Sequence, residues 1–295
     1  MDLLSQDGKF NLNVNLEVPD NPCGVLLCLH DMADHQGRYS GLLKFVAKSG
    51  FVGCAYDQRG HGKDLTFDSL GYFNDVSGKQ IVNDVDVVVE FLKDKFPDKP
   101  IHIFGQGMGA LIAKNYLQKN DAKITKVVLA GSPSYNRMTK LNLNMARTMA
   151  NVDYRGHAKI LNDLFFGNLY KAFGTKGGYD YLSKNSQNVI DYQNDPYCGF
   201  EYTNNGYLNL AKLQLRAYKK SLYLKNNPDL KVLFIAGSKD PVIDGVKAFN
   251  DQLDFMEALG YLVTSKLYGD CRHEILNENI KQTVYQDIVE FLKNA

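Results

Sequence analysis

Short apolar runs alternate with longer stretches of helical spacing along the first half of the chain. Leu3-Leu4 and the alternating Phe10, Leu12, Val14, Leu16 and Val18 flank Asp7-Gly8, which predicts an opening hairpin. Residues 25–29 (Val-Leu-Leu-Cys-Leu) read as a buried strand ending at His30. A helix over residues 39–49, stopped by Gly50, leads into a strand over 51–56 and the glycine-punctuated loop Asp57-Gln58-Arg59-Gly60-His61-Gly62. From Ser77, read as an N-cap, Ile81, Val85, Val88, Val89, Leu92 and Phe96 share one helical face. Pro97 and Pro100 end that helix. A strand over 101–104, a turn at Gly105 to Gly109, a helix to about Lys119 and a strand over 127–130 follow. Such alternation predicts βαβ units and a mostly parallel sheet.

The rhythm breaks between Ser134 and Asn227, where polar, tyrosine-rich and helical stretches replace it. It resumes with a strand over 232–236, a helix to about Leu259, a strand through Leu267 and a last helix over 280–292. The expected organisation is one α/β core, residues 1–133 and 228–295, with a cap inserted as residues 134–227. Within the block, Ile160, Leu161, Leu164, Phe165, Leu169 and Phe173 recur at helical spacing and predict an apolar face. Most of it should pack the cap on itself, and a few residues should line an acyl pocket.

Charge and cysteine usage narrow the classes. Against 34 Lys+Arg stand 33 Asp+Glu, so there is no clustered basic footprint for nucleic acid or an anionic membrane. No apolar run approaches the roughly 20 residues of a membrane span. Met1 to Phe10 lacks the basic-then-apolar pattern of a signal peptide, and a cytoplasmic location is expected. Cys23, Cys28, Cys54, Cys198 and Cys271 are odd in number and contain no C-x-x-C, which argues for free thiols in a reducing compartment.

The informative segment is Gly105-Gln106-Gly107-Met108-Gly109, between a buried strand and a helix. That context belongs to a G-x-S-x-G nucleophile elbow, here with glycine at the nucleophile position. A glycine turn of this kind could also cradle phosphate. The P-loop Lys-Ser/Thr, the third Rossmann glycine and its acidic ribose ligand are all missing from the sequence around it. Downstream, Asp240 and His273 each follow a predicted strand, in the order nucleophile, acid, histidine. Upstream, His30-Asp31-Met32 follows the first central strand, where this architecture recruits a backbone N–H for an oxyanion hole. His102 reads as a packed strand residue, and His30 and His61 as structural.

Taken together, Asp34-His35, Gly37-Arg38-Tyr39 and Tyr56 to Gly62 resemble the monoacylglycerol lipase/lysophospholipase group of α/β-hydrolases. Asp195 to Phe200 and Arg272 to Glu278 resemble bacterial members of that group, so the similarity covers nearly the whole chain. The resemblance implies an α/β-hydrolase fold and hydrolysis of carboxylic esters of glycerol or glycerophospholipids, with no cofactor. Its partner would be a small apolar ester or acyl ligand. Carried over by position, Asp240 is the triad acid, His273 the base, and the N–H groups of Met32 and Met108 the oxyanion hole.

Two positions depart from that pattern. Gly107 has no Oγ, so no acyl-enzyme can form, and no neighbour in sequence replaces it. Cys271 is poorly placed for in-line attack. Asp31 stands where the group has glycine, and a carboxylate there opposes developing negative charge unless it points to solvent. Three functional readings follow: an ester hydrolase nearly silent as written, a non-catalytic acyl-binding module, or an esterase whose serine has been replaced. Gly107→Ser alone is expected to rebuild a triad, and until then His273 could activate a water in the vacated space.

Overall fold

Burial on both faces turns the central apolar runs into strands, because an interior parallel sheet has no solvent side. In the computed structural model, which describes residues 1–135, 138–174 and 178–294, the described residues form an eight-stranded sheet. β1 (Asp2–Leu4) and β2 (Asn11–Glu17) make the expected hairpin, with Leu3 opposite Leu12. β3 (Gly24–Leu29) and, after helix α1 (Ser40–Lys48), β4 (Phe51–Tyr56) are buried along their whole length. Helix α2 (Gln80–Lys95) leads to β5 (Ile101–Gln106), and α3 (Met108–Asn120) to β6 (Lys126–Ala130). With β7 (Lys231–Gly237) and β8 (Leu262–Tyr268) closing the sheet, the strand order is β1-β2-β4-β3-β5-β6-β7-β8. β2 runs antiparallel to β4, and every pairing from β4 through β8 is parallel.

One helix start differs from expectation. α2 begins at Gln80, and the acceptor at its head is Asp75, which takes the backbone N–H groups of Ser77, Lys79 and Gln80. The Ser77 hydroxyl donates to the same carboxylate and shares the Lys79 N–H with it. A carboxylate there satisfies several orphan N–H groups and adds a charge that suits the helix dipole.

Between β6 and β7 (Lys231–Gly237) lie helices α4 (Met138–Val152), α5 (Lys159–Lys171), α6 (Ser186–Asn194) and α7 (Asn204–Ala217). α4 packs on α7, and α7 on α3 of the core. The expected apolar face of α5 divides. Leu161 is fully buried, whereas its neighbour Ile160 is 51% exposed, since adjacent helical residues point roughly 100° apart. Leu164, Phe165 and Leu169 border a cavity, and Phe173 lies beneath the Arg272 guanidinium at 3.9 Å. The chain closes with α8 (Gly245–Glu257), β8 (Leu262–Tyr268) and α9 (Lys281–Lys293).

Polar latches tie the inserted helices to the core. Arg38, just before α1, forks onto both Glu274 oxygens at 2.5 and 2.7 Å and donates to Asn188 of α6. Burial alone would raise Glu274, but Arg38 outweighs it and leaves the carboxyl below its ordinary value. Nearby, His35 Nε2 lies 2.8 Å from Asp195, just past α6. Among the described residues, no helix is long and apolar enough to cross a membrane. The five cysteines are unpaired.

Candidate active site

The neighbours of β3 are β4 on one side and β5 on the other, so successive connections leave β3 in opposite directions. That reversal opens a crevice at the carboxyl ends of β3 and β5, the place where ligands bind in open α/β sheets. Gly107 lies one residue past β5 and Asp31 two past β3.

Gly107 heads α3 at φ +51 and ψ −113, a conformation side chains rarely adopt. Gly109 lets α3 approach β3, since a Cβ there would overlap the Leu29 carbonyl oxygen. The elbow expected from the glycine spacing is therefore present as geometry, with no side chain at its tip.

Asp240 and His273 meet after β7 and β8. His273 Nδ1 lies 2.9 Å from Asp240 Oδ2, and Asp240 Oδ1 accepts the Val242 N–H at 2.8 Å. Both residues are buried, and the Tyr181 ring stands 6.2 Å from the imidazole. The other face of His273 is occupied by Asp31, with Nε2 to Oδ2 at 2.7 Å. Each ring nitrogen thus faces a carboxylate, and both can donate only if the ring carries both protons. Burial works against that charge, but Asp240 first and Asp31 second outweigh it and hold His273 well above its ordinary value.

The remaining Asp31 oxygen decides the character of the site. Oδ1 accepts the N–H of Met32 and the N–H of Met108, each at 2.7 Å. These are the two amides carried over as the oxyanion hole, and they converge on one point already filled by a carboxylate oxygen. A Cβ on Gly107 would overlap the same carboxylate. Asp31 therefore turns inward, into the space of the absent serine side chain.

That placement corrects three expectations. The space at Gly107 holds a carboxylate, so His273 faces Asp31 and not an attacking water. A group does fill the place of the missing hydroxyl, and it comes from the loop just after β3, far upstream of Gly107. A side chain at 107 overlaps Asp31 where it stands, so Gly107→Ser rebuilds a triad only if that carboxylate moves. The sequence signal was the Asp31 departure itself, whose carboxylate turns into the elbow instead of pointing to solvent.

The other singled-out residues fall where packing put them. His30 Nδ1 contacts the Asp31 carbonyl and Nε2 accepts the Gln58 N–H, while His61 Nε2 bonds the Tyr202 hydroxyl. Burial lowers His61 and His102 to about 4. Cys271 is buried, and burial pushes its thiol up to about 11, away from a reactive thiolate.

Beside Asp31 opens a cavity of about 430 Å³, lined by Gly107, Met108 and His273 and, from α5, by Leu164, Phe165 and Leu169. Its lining mixes apolar side chains with polar ones, among them Asn142, Asp163, Gln214 and Asp244.

Comparison with known proteins agrees with this architecture. A family model described as Hydrolase_4, serine aminopeptidase, S33, matches residues 20–280. A monoglyceride lipase homolog of monkeypox virus is 23% identical, over 92% of this chain and 90% of its own. A monoacylglycerol lipase of Mycolicibacterium smegmatis is 23% identical, over 97% and 94%. A thermostable carboxyl esterase from Bacillus coagulans, solved with glycerol, superposes with a TM-score of 0.91 at 23% identity, over 99% and 96%. With a fold and a family match spanning most of its length, the chain belongs to the Hydrolase_4 family of α/β-hydrolases, and its similarities run to esterases and lipases.

Proposed function

We propose that the pocket binds a slim acyl ligand and that the chain is silent as a serine-type ester hydrolase. One observation carries this reading: the Asp31 carboxylate fills the place of the missing hydroxyl and accepts both amide N–H groups. Ester cleavage through an acyl-enzyme needs a nucleophilic oxygen on the elbow and free donors for the oxyanion. One such donor is worth on the order of 10²–10³ in rate. Here both are engaged, and a negative group already stands where negative charge would develop.

The ligand class rests on two supports. The cavity falls in the roughly 300–1,000 Å³ range of small-molecule sites. The names of the viral and mycobacterial relatives point to monoacylglycerols. In this reading residues 134–227 serve as the cap, and Asp240 and His273 are the retained acid and base. Overlap between a side chain at 107 and Asp31 favours a paired exchange of two positions over a single replaced serine.

The test combines binding with reactivity. Decanoic acid and monodecanoylglycerol should raise the melting temperature in a saturable way. Nitrophenyl butyrate should not turn over, and a fluorophosphonate probe should not label the chain. Labelling or steady ester turnover by the native chain would overturn the reading, and absence of any ligand shift would overturn its acyl-binding half.

A further inference from the structure

We propose that Asp31 is a relocated nucleophile and that the site opens alkyl epoxides to diols. The inference rests on the reading that esters are not processed here, and it assigns a different chemistry to the same groups. The Asp31 side chain remains 13% exposed, and it borders the cavity. A carboxylate is an established covalent nucleophile when a second group can later release it.

The donors choose the electrophile. Attack by Asp31 on an ester carbonyl would create a second oxyanion, and the two N–H groups that could hold it already hold Oδ1. Attack on a saturated carbon creates no oxyanion on an acyl centre. Oδ2 forms the new C–O bond, the strained ring C–O bond breaks, and its electron pair stays on the departing oxygen as an alkoxide. His273 begins as an imidazolium between two carboxylates. Alkylation neutralises Asp31, which weakens the hold on that proton, and the ring gives it through a solvent water to the alkoxide. An epoxide thus converts His273 from acid to base in the step that consumes the ring.

The intermediate is an ester of Asp31, a hydroxyalkyl group on Oδ2. Neutral His273 takes a proton from a water that attacks Asp31 Cγ. The resulting oxyanion forms on Oδ1, which stands between the Met32 and Met108 amides from the start. Collapse breaks the Cγ–Oδ2 bond if the new water oxygen is retained, and the leaving glycol oxygen takes its proton from His273. The carboxylic acid then returns its proton to the ring. Epoxide plus water gives diol, and carboxylate and imidazolium are restored.

The experiment uses the full chain and octene oxide, the terminal epoxide. Native protein should form octane diol. With enzyme in excess in water enriched in heavy oxygen, the first diol should carry no heavy oxygen and the Asp31 peptide should gain it. In His273→Gln bulk water must protonate the alkoxide, so the intermediate should form more slowly. It should still accumulate, since its hydrolysis has lost its base, as a mass gain of one epoxide mapping to Asp31. Asp31→Asn, with folding checked by circular dichroism, should lose both diol and adduct. Diol that persists in Asp31→Asn, or no diol from the native chain together with no adduct in His273→Gln, would overturn the proposal. Neither outcome touches the ester reading, which fails only if the native chain labels with fluorophosphonate, turns over nitrophenyl butyrate, or binds no acyl ligand.

Discussion

The two halves of the site have diverged. On the β7–β8 side, Asp240 and His273 stand in the relation their order in the chain implied, 2.9 Å apart and buried. On the β3–β5 side the elbow keeps its backbone shape, but the oxygen that stands at its tip comes from Asp31, at the neighbouring strand end. A buried carboxylate–imidazole pair tolerates little change, because stranding either partner leaves an uncompensated ion. A nucleophile needs only an oxygen at one point in space, and two neighbouring strand ends can supply it. The glycine at 107 and the carboxylate at 31 are thus coupled in space, since a side chain at 107 would need the room that Asp31 fills.

The largest test exchanges both positions. Asp31→Gly combined with Gly107→Ser frees the two amides and returns a hydroxyl to the elbow, and fluorophosphonate labelling with nitrophenyl ester turnover should rise on the order of 10³-fold over native. Gly107→Ser alone should gain neither. It should also melt earlier, because strain at positive φ and overlap with Asp31 each cost roughly 1–3 kcal/mol. Equal activity in the single and double variants would break the comparison.

Next in size is the latch shared by both halves. Arg38→Met strands the buried Glu274, beside His273 in the chain, and should cost about 3–5 kcal/mol by thermal unfolding. Within the inserted helices, Leu161→Ala should cost about 2–5 kcal/mol and Ile160→Ser no more than about 0.5 kcal/mol, following their burial. A large loss at Ile160 would show that α5 buries a different face.

The smallest effect is electrostatic. Histidine NMR should find His273 protonated well above the pH at which His61 and His102, near 4, lose their protons. His273 is raised on folding, so its contribution is full below the unfolded value of about 6.5 and fades as pH climbs through the native one. His61 and His102 act in the opposite sense, since the unfolded chain binds their protons first, and stability falls as pH drops from about 6.5 toward 4. Asp31→Asn removes one of the two carboxylates at His273 and should move its titration downward. An unmoved titration would mean that Asp240 alone sets the charge.

Periodicity sufficed for the strands and the long helices because burial is written into local spacing: Val25 to Leu29 and Ile101 to Phe104 read as buried strand, although β5 runs two residues further, to Gln106. Glycine spacing revealed the elbow, and strand-end position revealed Asp240 and His273, because both depend on short stretches of backbone. The head of α2 was misplaced by two residues, since Ser77 and Asp75 offer similar local chemistry and only the folded loop selects the carboxylate. The direction of the Asp31 side chain lay beyond local pattern altogether. One χ rotation separates a solvent-facing carboxylate from one bonded to Met32, Met108 and His273, and those partners come from three separate stretches of the chain. The sequence by itself determined the sheet, the elbow and the acid–histidine pair, all consequences of spacing. Only tertiary structure decided which oxygen occupies the reactive point, because that choice is made by donors that become neighbours when β3, β5 and β8 are brought together in one sheet.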